Sequence, residues 1–259
     1  MHGNLLKDKT VLVTGGTSGI GFAIAKEVLL NKGNVIITGR SEKRIAKACI
    51  ELKSIEEICG DVYGFVMDNA DIEKQKNVFQ CIISNIEGKQ IDVLVNNAGL
   101  VGGDFGALDE KLYDSIMNTN LKGTFFLCQI VANYMKKNGI KGNILNVASS
   151  SSLRPAYSAY TLTKWGIRGL TLGLAKALIP YGIVVNGIAP GATATPMLTK
   201  KNDNLMLPSS PAERYADAQE IANMAVMLMS NVGRMVVGDI LYMTGGSGVI
   251  TFDDVKYDF

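Results

Sequence analysis

Short apolar runs alternate along the chain with longer segments in which apolar positions recur at helical spacing. The short runs are rich in β-branched residues, which is typical of strands. Strands that are apolar at nearly every position and are joined by helices indicate a parallel sheet covered on both faces. The predicted strands are Thr10–Thr14, Val35–Thr38, Val62–Met67, Ile91–Asn96, Asn143–Val147, Ile183–Ile188 and Asp239–Met243.

The segments between these strands complete the predicted architecture. Seven strands with right-handed helical crossovers form a doubly wound parallel sheet, so we predict an α/β fold. Such a sheet reaches this length as one unit, and we predict a single domain over residues 1–259. The predicted helices are Ile20–Asn31, Glu42–Leu52, Ile72–Ile86, Asp109–Met117, Leu121–Lys137, Ser158–Ile179 and Glu213–Met229.

Charged residues of both signs are mixed along the chain. The formal net charge is +2, from 26 basic and 24 acidic residues, without a basic patch suited to nucleic acid or an anionic membrane. No run approaches the ~18 to 20 apolar residues of a membrane span, and residues 1–9 lack the apolar core of a signal peptide. We therefore predict a cytoplasmic protein without a nucleic-acid or membrane partner.

Cysteine and histidine usage excludes several kinds of site. Cys49, Cys59, Cys81 and Cys128 have neither metal-ligand nor redox spacing, which is typical of reduced structural thiols. His2 is the only histidine, so most zinc sites and any Ser-His-Asp mechanism are excluded. We predict no metal site, and a catalytic base must come from another residue type.

One segment carries a candidate acid–base pair. Tyr160 and Lys164 lie four residues apart, so in a helix their side chains project from one face, one turn apart. A nearby positive charge favours the phenolate, so we expect Lys164 to lower the pKa of Tyr160. A tyrosine of lowered pKa can donate and accept a proton at neutral pH. Taken alone, the spacing also fits a half-buried ring beside a solvated lysine.

Four further motifs give this pair its context. A glycine-rich turn, Thr14–Gly21, follows the first strand, and Asn96–Gly99 follows the fourth. The serine run Ser149–Ser152 precedes the tyrosine, and Pro190-Gly191 follows it. In this order the motifs resemble those of the short-chain dehydrogenase/reductase family over nearly the whole chain. The resemblance implies a Rossmann-like fold and an oxidoreductase that transfers a hydride between a nicotinamide cofactor and a ketone or secondary alcohol.

The glycine-rich turn is the predicted cradle for the cofactor. Gly15, Gly19 and Gly21 let the backbone approach a pyrophosphate, and the following helix presents free N–H groups and the positive end of its dipole. The spacing differs from G-x-G-x-x-G but is the version that the resembled family uses. Further predicted contacts in the turn are Thr17, Ser18 and Ile20.

The end of the second strand selects the cofactor. A carboxylate there would bind the adenosine ribose and repel a 2′-phosphate, but this chain has Gly39 and then Arg40. Arginine pairs bidentately with phosphate, which favours NADP and leaves NAD possible; the alternative is a solvated surface arginine. The resemblance implies further cofactor contacts at Asp68, Asn69, Asn97, Ala98, Gly99, Tyr160, Lys164, Pro190, Gly191, Thr193 and Thr195.

The resemblance also implies a set of catalytic residues. Tyr160 would exchange the proton, Lys164 would lower its pKa and hold the nicotinamide ribose, and a serine would polarise the substrate oxygen. Ser149 ends the segment that matches the fifth strand, but the short interval to the tyrosine keeps Ser150 and Ser151 as alternatives. An asparagine would hold a water that connects the lysine to solvent. The implied set is Ser149, Tyr160, Lys164 and Asn120.

The substrate lid, the tail and the subunit interface complete the expectations. Residues 192–214 are expected to form a lid over the substrate, and residues 247–259 a C-terminal tail. Members of the resembled family associate through two helices, which implies a homodimer or homotetramer. The apolar positions on those helices are Phe125, Leu127, Val131, Tyr134, Trp165, Leu170 and Leu174.

Two other functions share part of this pattern. A nucleotide-sugar epimerase or dehydratase would have a longer chain and the other type of glycine motif. A non-catalytic dinucleotide sensor or interaction protein would typically lose the tyrosine or the lysine, and this chain keeps both.

Overall fold

Seven parallel strands form one central sheet in the computed structural model, which describes residues 3–56, 58, 60–86, 88–195 and 206–249. The strands of this sheet are β1 (Thr10–Thr14), β2 (Asn34–Gly39), β3 (Val62–Val66), β4 (Val93–Asn96), β5 (Asn143–Val147), β6 (Val184–Pro190) and β9 (Ile240–Met243). A separate short pair joins β7 (Thr193–Ala194) to β8 (Ala216–Asp217). The order β3-β2-β1-β4-β5-β6-β9 starts in the middle and winds outwards in both directions, which confirms the predicted doubly wound α/β sheet.

Helices connect these strands and cover both faces of the sheet. Strand β1 has apolar side chains on alternate faces: Val11 and Val13 belong to one buried cluster and Leu12 to the other. The helices that pack on the sheet are α1 (Gly19–Leu30), α2 (Glu42–Lys53), α3 (Ile72–Asn85), α5 (Gly123–Lys137), α6 (Ala159–Leu178) and α7 (Ala218–Met229). Residues of α1, α2 and α7 belong to the first cluster, and residues of α3, α5 and α6 belong to the second. The remaining α-helix in the described ranges is α4 (Glu110–Met117).

The last helix begins five residues later than the sequence pattern predicts. Glu213, the predicted start, has a left-handed φ of 54°, which a helix does not accept. Asp217 instead caps the helix: its side chain accepts a hydrogen bond from the N–H of Gln219, and Glu220 accepts one from the N–H of Asp217. This capping box satisfies the free N–H groups of the first turn and leaves Ala216 and Asp217 for the β7–β8 pair.

Part of the predicted subunit interface lies in the core. Leu127 and Val131 have no exposed surface and pack beneath the sheet, because their positions on α5 face the strands. Phe125 and Trp165 are exposed, and Tyr134, Leu170 and Leu174 are partly exposed, so these positions remain available to a partner subunit.

Parts of the predicted lid and tail fall outside the described residues. Residues 196–205 of the lid and residues 250–259 of the tail are among these. In the described ranges, no helix combines the length and the apolar character that crossing a bilayer requires.

Candidate active site

A cavity of about 1070 Å³ opens at the carboxyl ends of the strands. Its walls come from the segments that follow β1, β2, β3, β4, β5 and β6. The winding direction reverses between β1 and β4, and open α/β sheets bind their ligands at such a switch point. Predicted site residues on the walls are Gly15, Thr17, Ser18, Gly19, Ile20, Arg40, Asn69, Asn97, Ala98, Gly99, Ser149, Tyr160, Lys164, Pro190, Gly191, Thr193 and Thr195.

The glycine-rich turn brings backbone atoms to the cavity. Gly15 and Gly19 have φ values of 65° and 57°, in the left-handed region that favours glycine. A Cβ atom at Gly21 would lie 2.5 Å from the carbonyl oxygen of Gly15 and would overlap the Asn97 amide. Gly21 therefore lies behind the wall and allows the turn to pack tightly, while α1 begins beside the cavity without an acidic residue in its first turn.

The end of β4 is bonded to this turn. The hydroxyl of Thr14 accepts hydrogen bonds from the N–H groups of Asn97 and Ala98, each at 3.0 Å. The Asn97 amide donates to the carbonyls of Thr14 and Gly15 at 3.0 and 3.1 Å. These bonds fix two walls of the cavity relative to each other.

The end of β2 presents cations and no carboxylate. A side chain at Gly39 would begin 3.2 Å from the methyl group of Thr17, so this position is crowded. Arg40 is exposed on the wall. Arg44, on the first turns of α2, donates from Nη2 to the hydroxyl of Ser18 at 3.1 Å and also lines the cavity.

Arg44 is not among the site residues predicted from the sequence. A signal was available, because Arg44 lies four residues after Arg40 and within a helix predicted to begin at Glu42. Arg154 lies in the segment Leu153–Tyr157, which the sequence predicts to line the substrate pocket, and it does line the cavity, but the sequence assigned it no role of its own.

Tyr160 and Lys164 lie on the first two turns of α6. The hydroxyl of Ser158 caps this helix by accepting from the N–H of Thr161 at 3.1 Å, which fixes where the helix begins. The Lys164 ammonium is buried and donates to the carbonyl of Val147 at 2.8 Å. Its Nζ atom lies 5.5 Å from the centre of the Tyr160 ring, so both groups occupy one part of the cavity wall.

The pKa of Tyr160 moves in the direction opposite to the expectation. Burial raises the pKa of the phenol, and a hydrogen bond with the Ser149 side chain opposes this effect. Burial lowers the pKa of the Lys164 ammonium to about 8. Desolvation disfavours the charged form of each group, and for Tyr160 it outweighs the opposing effect of Ser149, without the lowering by Lys164 that the sequence predicted.

The serines after β5 have distinct partners. The hydroxyl of Ser149 accepts from the N–H of Ser151 at 3.1 Å and donates to the Ser151 hydroxyl at 3.2 Å. Ser152 turns away, donating to the carbonyl of Ser149 at 2.8 Å and bonding the hydroxyl of Tyr242 at 3.2 Å. Within this run, Ser149 is the residue whose side chain acts on the pKa of the Tyr160 phenol, lowering it.

Asn120 lies behind the cavity wall in a π-helical turn, Asn118–Lys122. Its side-chain amide accepts from the N–H of Leu100 at 2.7 Å and donates to the Leu100 carbonyl at 2.8 Å. It also donates to the hydroxyl of Thr163 at 3.1 Å, and Thr163 donates to the carbonyl of Tyr160 at 2.6 Å. Asn120 thus ties the loop after β4 to the turn of α6 that carries the tyrosine.

Asp68 does not reach the cavity. It is exposed, and its carboxylate accepts a hydrogen bond from the N–H of Ala70 at 3.0 Å. Its neighbour Asn69 does line the cavity and donates to the carbonyl of Thr119 at 2.6 Å. In the described part of the chain, no group of three or more His, Cys, Asp or Glu side chains could hold a metal ion.

Comparison with known proteins identifies the family. The family model described as short chain dehydrogenase matches residues 9–206. Glucose 1-dehydrogenase 2 of Bacillus subtilis is 33% identical over 250 residues, covering 93% of this chain and 95% of that protein. The chain belongs to the short-chain dehydrogenase family. It is accordingly an oxidoreductase, as the sequence motifs predicted.

Two further short-chain dehydrogenase relatives match over similar lengths. A 3-oxoacyl-acyl-carrier-protein reductase of Thermotoga maritima is 32% identical over 247 residues, covering 93% of this chain and 98% of that protein. The crystal structure of a short chain dehydrogenase from Burkholderia cenocepacia in complex with NADP has a TM-score of 0.82 and 28% identity, covering 94% of this chain and 99% of that chain.

The cavity fits the nicotinamide dinucleotide that short-chain dehydrogenases use. Gly15 and Gly19 of the turn line the cavity in the left-handed conformation that favours glycine, and the N-terminus of α1 faces the same space. Among the described wall residues there is no carboxylate to repel the phosphates. Backbone N–H groups and a helix dipole without a competing anion form a suitable site for a pyrophosphate.

Proposed function

We propose that the protein is an NADP(H)-dependent oxidoreductase that interconverts a ketone and a secondary alcohol, with Tyr160 as the acid–base group. The observation that carries the proposal is the grouping of Ser149, Tyr160 and Lys164 on one wall of the cavity. The glycine-rich turn lies on the same cavity, so a dinucleotide bound along it and a substrate held at Tyr160 would share one space.

The protein groups have separate tasks in the reduction of a ketone. Because burial raises its pKa, the Tyr160 phenol is protonated at neutral pH and can give its proton to the carbonyl oxygen. The Ser149 hydroxyl donates to the same oxygen and stabilises the charge that develops there. When bound, the nicotinamide supplies the hydride. Lys164 provides a positive charge beside the phenolate that forms.

Asn120 acts in this proposal as a positioning residue. Its amide bonds to Leu100 and Thr163 hold the loop and the helix turn on either side of Tyr160. A π-turn at this point is consistent with that role, because such turns occur frequently at functional sites.

The preference for NADP rests on the cations after β2. Arg40 and Arg44 would bind the 2′-phosphate, and Gly39 leaves no carboxylate to repel it. The hydrogen bond from Arg44 to Ser18 holds this guanidinium at the glycine-rich turn. The NADP complex of the Burkholderia relative is consistent with this choice.

The test is the absorbance of reduced nicotinamide with NADPH, and separately NADH, against a panel of ketones, sugars and steroids. We expect turnover with NADPH, and its loss in Tyr160→Phe, which keeps the ring and removes the hydroxyl. Binding of NADPH, followed by its fluorescence, should survive in this variant. Full turnover by Tyr160→Phe would overturn the acid–base assignment.

A further inference from the structure

The charged side chains on the described walls of the cavity are all cations. They are Arg40, Arg44, Arg154 and Lys164. A cleft lined by one sign of charge concentrates ligands of the other sign. Arg40 and Arg44 belong to the proposed phosphate end and Lys164 to the acid–base group, so Arg154 is the described wall cation whose role is unassigned.

Arg154 is fixed to the same backbone as the proposed catalytic serine. A short helical turn, Ser150–Leu153, begins after Ser149 and ends before Arg154, whose N–H donates to the carbonyl of Ser151 at 3.2 Å. The carbonyl of Arg154 accepts from Nε1 of Trp165 on α6 at 2.8 Å. Its backbone is therefore tied both to the serine turn and to the helix that carries Tyr160.

The guanidinium of Arg154 forms no ion pair with a carboxylate of the described residues. Other arginines are used within the protein: Arg168 donates to the carbonyl of Ser152 at 3.3 Å, and Arg214 pairs with Glu220 at 2.8 Å. Arg154 instead lines the cavity that Ser149 and Tyr160 also line, and its backbone is bonded to the turn that follows Ser149. An arginine so placed can bind an anion bidentately.

We propose that Arg154 binds a carboxylate of the substrate, so that the protein acts on keto acids or hydroxy acids rather than on neutral carbonyl compounds. This inference rests on the proposed function and names its substrate class. One guanidinium matches the two oxygens and the single charge of a carboxylate. A phosphate monoester, with roughly twice that charge, would call for a second cation, and Lys164 is already bonded to the carbonyl of Val147.

The test compares three keto acids with their methyl esters, namely acetoacetate, 4-oxopentanoate and 5-oxohexanoate. Each pair has the same reacting carbonyl and differs in the charge. We expect kcat/KM for at least one acid to exceed that of its ester by about 10- to 100-fold, the range of one charge-assisted hydrogen-bonded pair. In Arg154→Gln the ratio should fall to about one through loss of the acid's rate, with the rate for the ester unchanged.

Two variants control for indirect effects. Lys176→Gln removes one positive charge from an exposed position of α6 outside the cavity and should keep the acid preference. Arg154→Lys keeps the charge without the planar fork and should recover part of it. Equal rates for every acid and its ester in the unaltered protein, or an acid preference that persists in Arg154→Gln, would overturn the inference and leave the proposed function intact.

A binding measurement separates this inference from the proposed function. Trp165 is the only tryptophan of the chain and is bonded to Arg154, so its fluorescence should respond to a ligand at that residue. The acids, but not the esters, should give a saturable change that is lost in Arg154→Gln. If none of the six compounds reacts but the acids cause this fluorescence change, the result supports the carboxylate site and counts against the proposed oxidoreductase activity. No response to any acid in the unaltered protein would overturn the inference.

Discussion

Lys164 is a buried cation, and its burial has an energetic cost that depends on pH. Its pKa falls from 10.5 to about 8 in the folded protein. Below pH 8 the native state must hold the ammonium out of water, which destabilises it. Between pH 8 and 10.5 the unfolded chain binds more protons than the native state, so the stability from this group rises with pH.

We therefore expect Lys164→Met to be more stable than the unaltered protein at neutral pH. The pKa shift corresponds to a cost of about 3 kcal/mol for burying the charged Lys164 side chain at pH 7. The methionine variant avoids this cost but loses the hydrogen bond to Val147, which contributes about 1 kcal/mol to stability. A gain of about 2 kcal/mol in the free energy of unfolding should appear at pH 7 in urea titrations. Because the stability of the unaltered protein rises by about 1.4 kcal/mol per pH unit above pH 8, the gain should disappear at about pH 9.5. A variant that is less stable at pH 7 would contradict this account of the buried charge.

The positions of Arg40 and Arg44 predict that the protein binds NADPH more tightly than NADH. Arg40→Asp and Arg44→Gln should each weaken NADPH binding by about tenfold or more, because each removes a charge-assisted bond to the 2′-phosphate. NADH binding should change much less. The measurement is the fluorescence of each reduced cofactor on titration, with Lys47→Gln on the exposed face of α2 as the control. Equal losses for the two cofactors would mean that these arginines do not read the 2′-phosphate.

The π-helical turn between α4 and α5 places the side-chain amide of Asn120 in hydrogen-bond contact with Leu100 and Thr163. Asn120→Ala leaves the backbone N–H and carbonyl of Leu100 without their partner, which should cost about 2 to 3 kcal/mol in the free energy of unfolding. Because Thr163 and Tyr160 share this network, kcat should also fall. We expect the affinity for NADPH to stay the same, since Asn120 does not line the cavity.

The matched variant is Asn120→Asp. Its carboxylate can still accept from the Leu100 N–H but cannot donate to the Leu100 carbonyl or to Thr163. A partial recovery of stability over the alanine variant, with kcat still reduced, would assign the kinetic effect to the donated bonds. An alanine variant with unchanged kcat would remove Asn120 from the proposed site.

The sequence predicted those elements whose cause is local. The parallel strands are visible because both faces are buried, and the glycine-rich turn because its left-handed positions require glycine. The predicted start of α7 at Glu213 is wrong because it followed helical periodicity and passed over the local capping box that begins at Asp217, four residues later. Helical periodicity alone carries no such signal.

The site was less predictable where tertiary contacts decide. The direction of the Tyr160 pKa shift depends on burial beneath loops from elsewhere in the chain. The contact of Arg44 with Ser18 joins α2 to the glycine-rich turn. The relation of the serines to Tyr160 likewise depends on how the turn after β5 is folded. Residue spacing identified most of the site residues, but the contacts and the burial of each one follow only from the packed structure.

For the whole molecule, the exposed apolar side chains of α5 and α6 predict a homodimer or homotetramer. Phe125 on α5, and Leu162, Trp165 and Leu172 on α6, are each more than two-fifths exposed, while both helices cover the same face of the sheet. Exposed apolar patches of this kind mark protein interfaces. Phe125→Glu or Leu172→Glu should shift the mass measured by light scattering towards the monomer with helix content unchanged. A monomeric unaltered protein would contradict the prediction.

The strand order also has a consequence for the chain as it is synthesised. Val11 pairs with Val35 on one side and with Val93 on the other. The second edge of β1 therefore stays unpaired until about 80 further residues have been synthesised. At a translation rate of roughly 5 to 20 residues per second, that interval lasts about 4 to 16 s. Throughout it the nascent chain carries an open strand edge whose three central residues, Val11, Leu12 and Val13, are apolar, a form that is exposed to mispairing. The need for chaperone protection during synthesis therefore follows from the strand order, whatever the stability of the finished sheet.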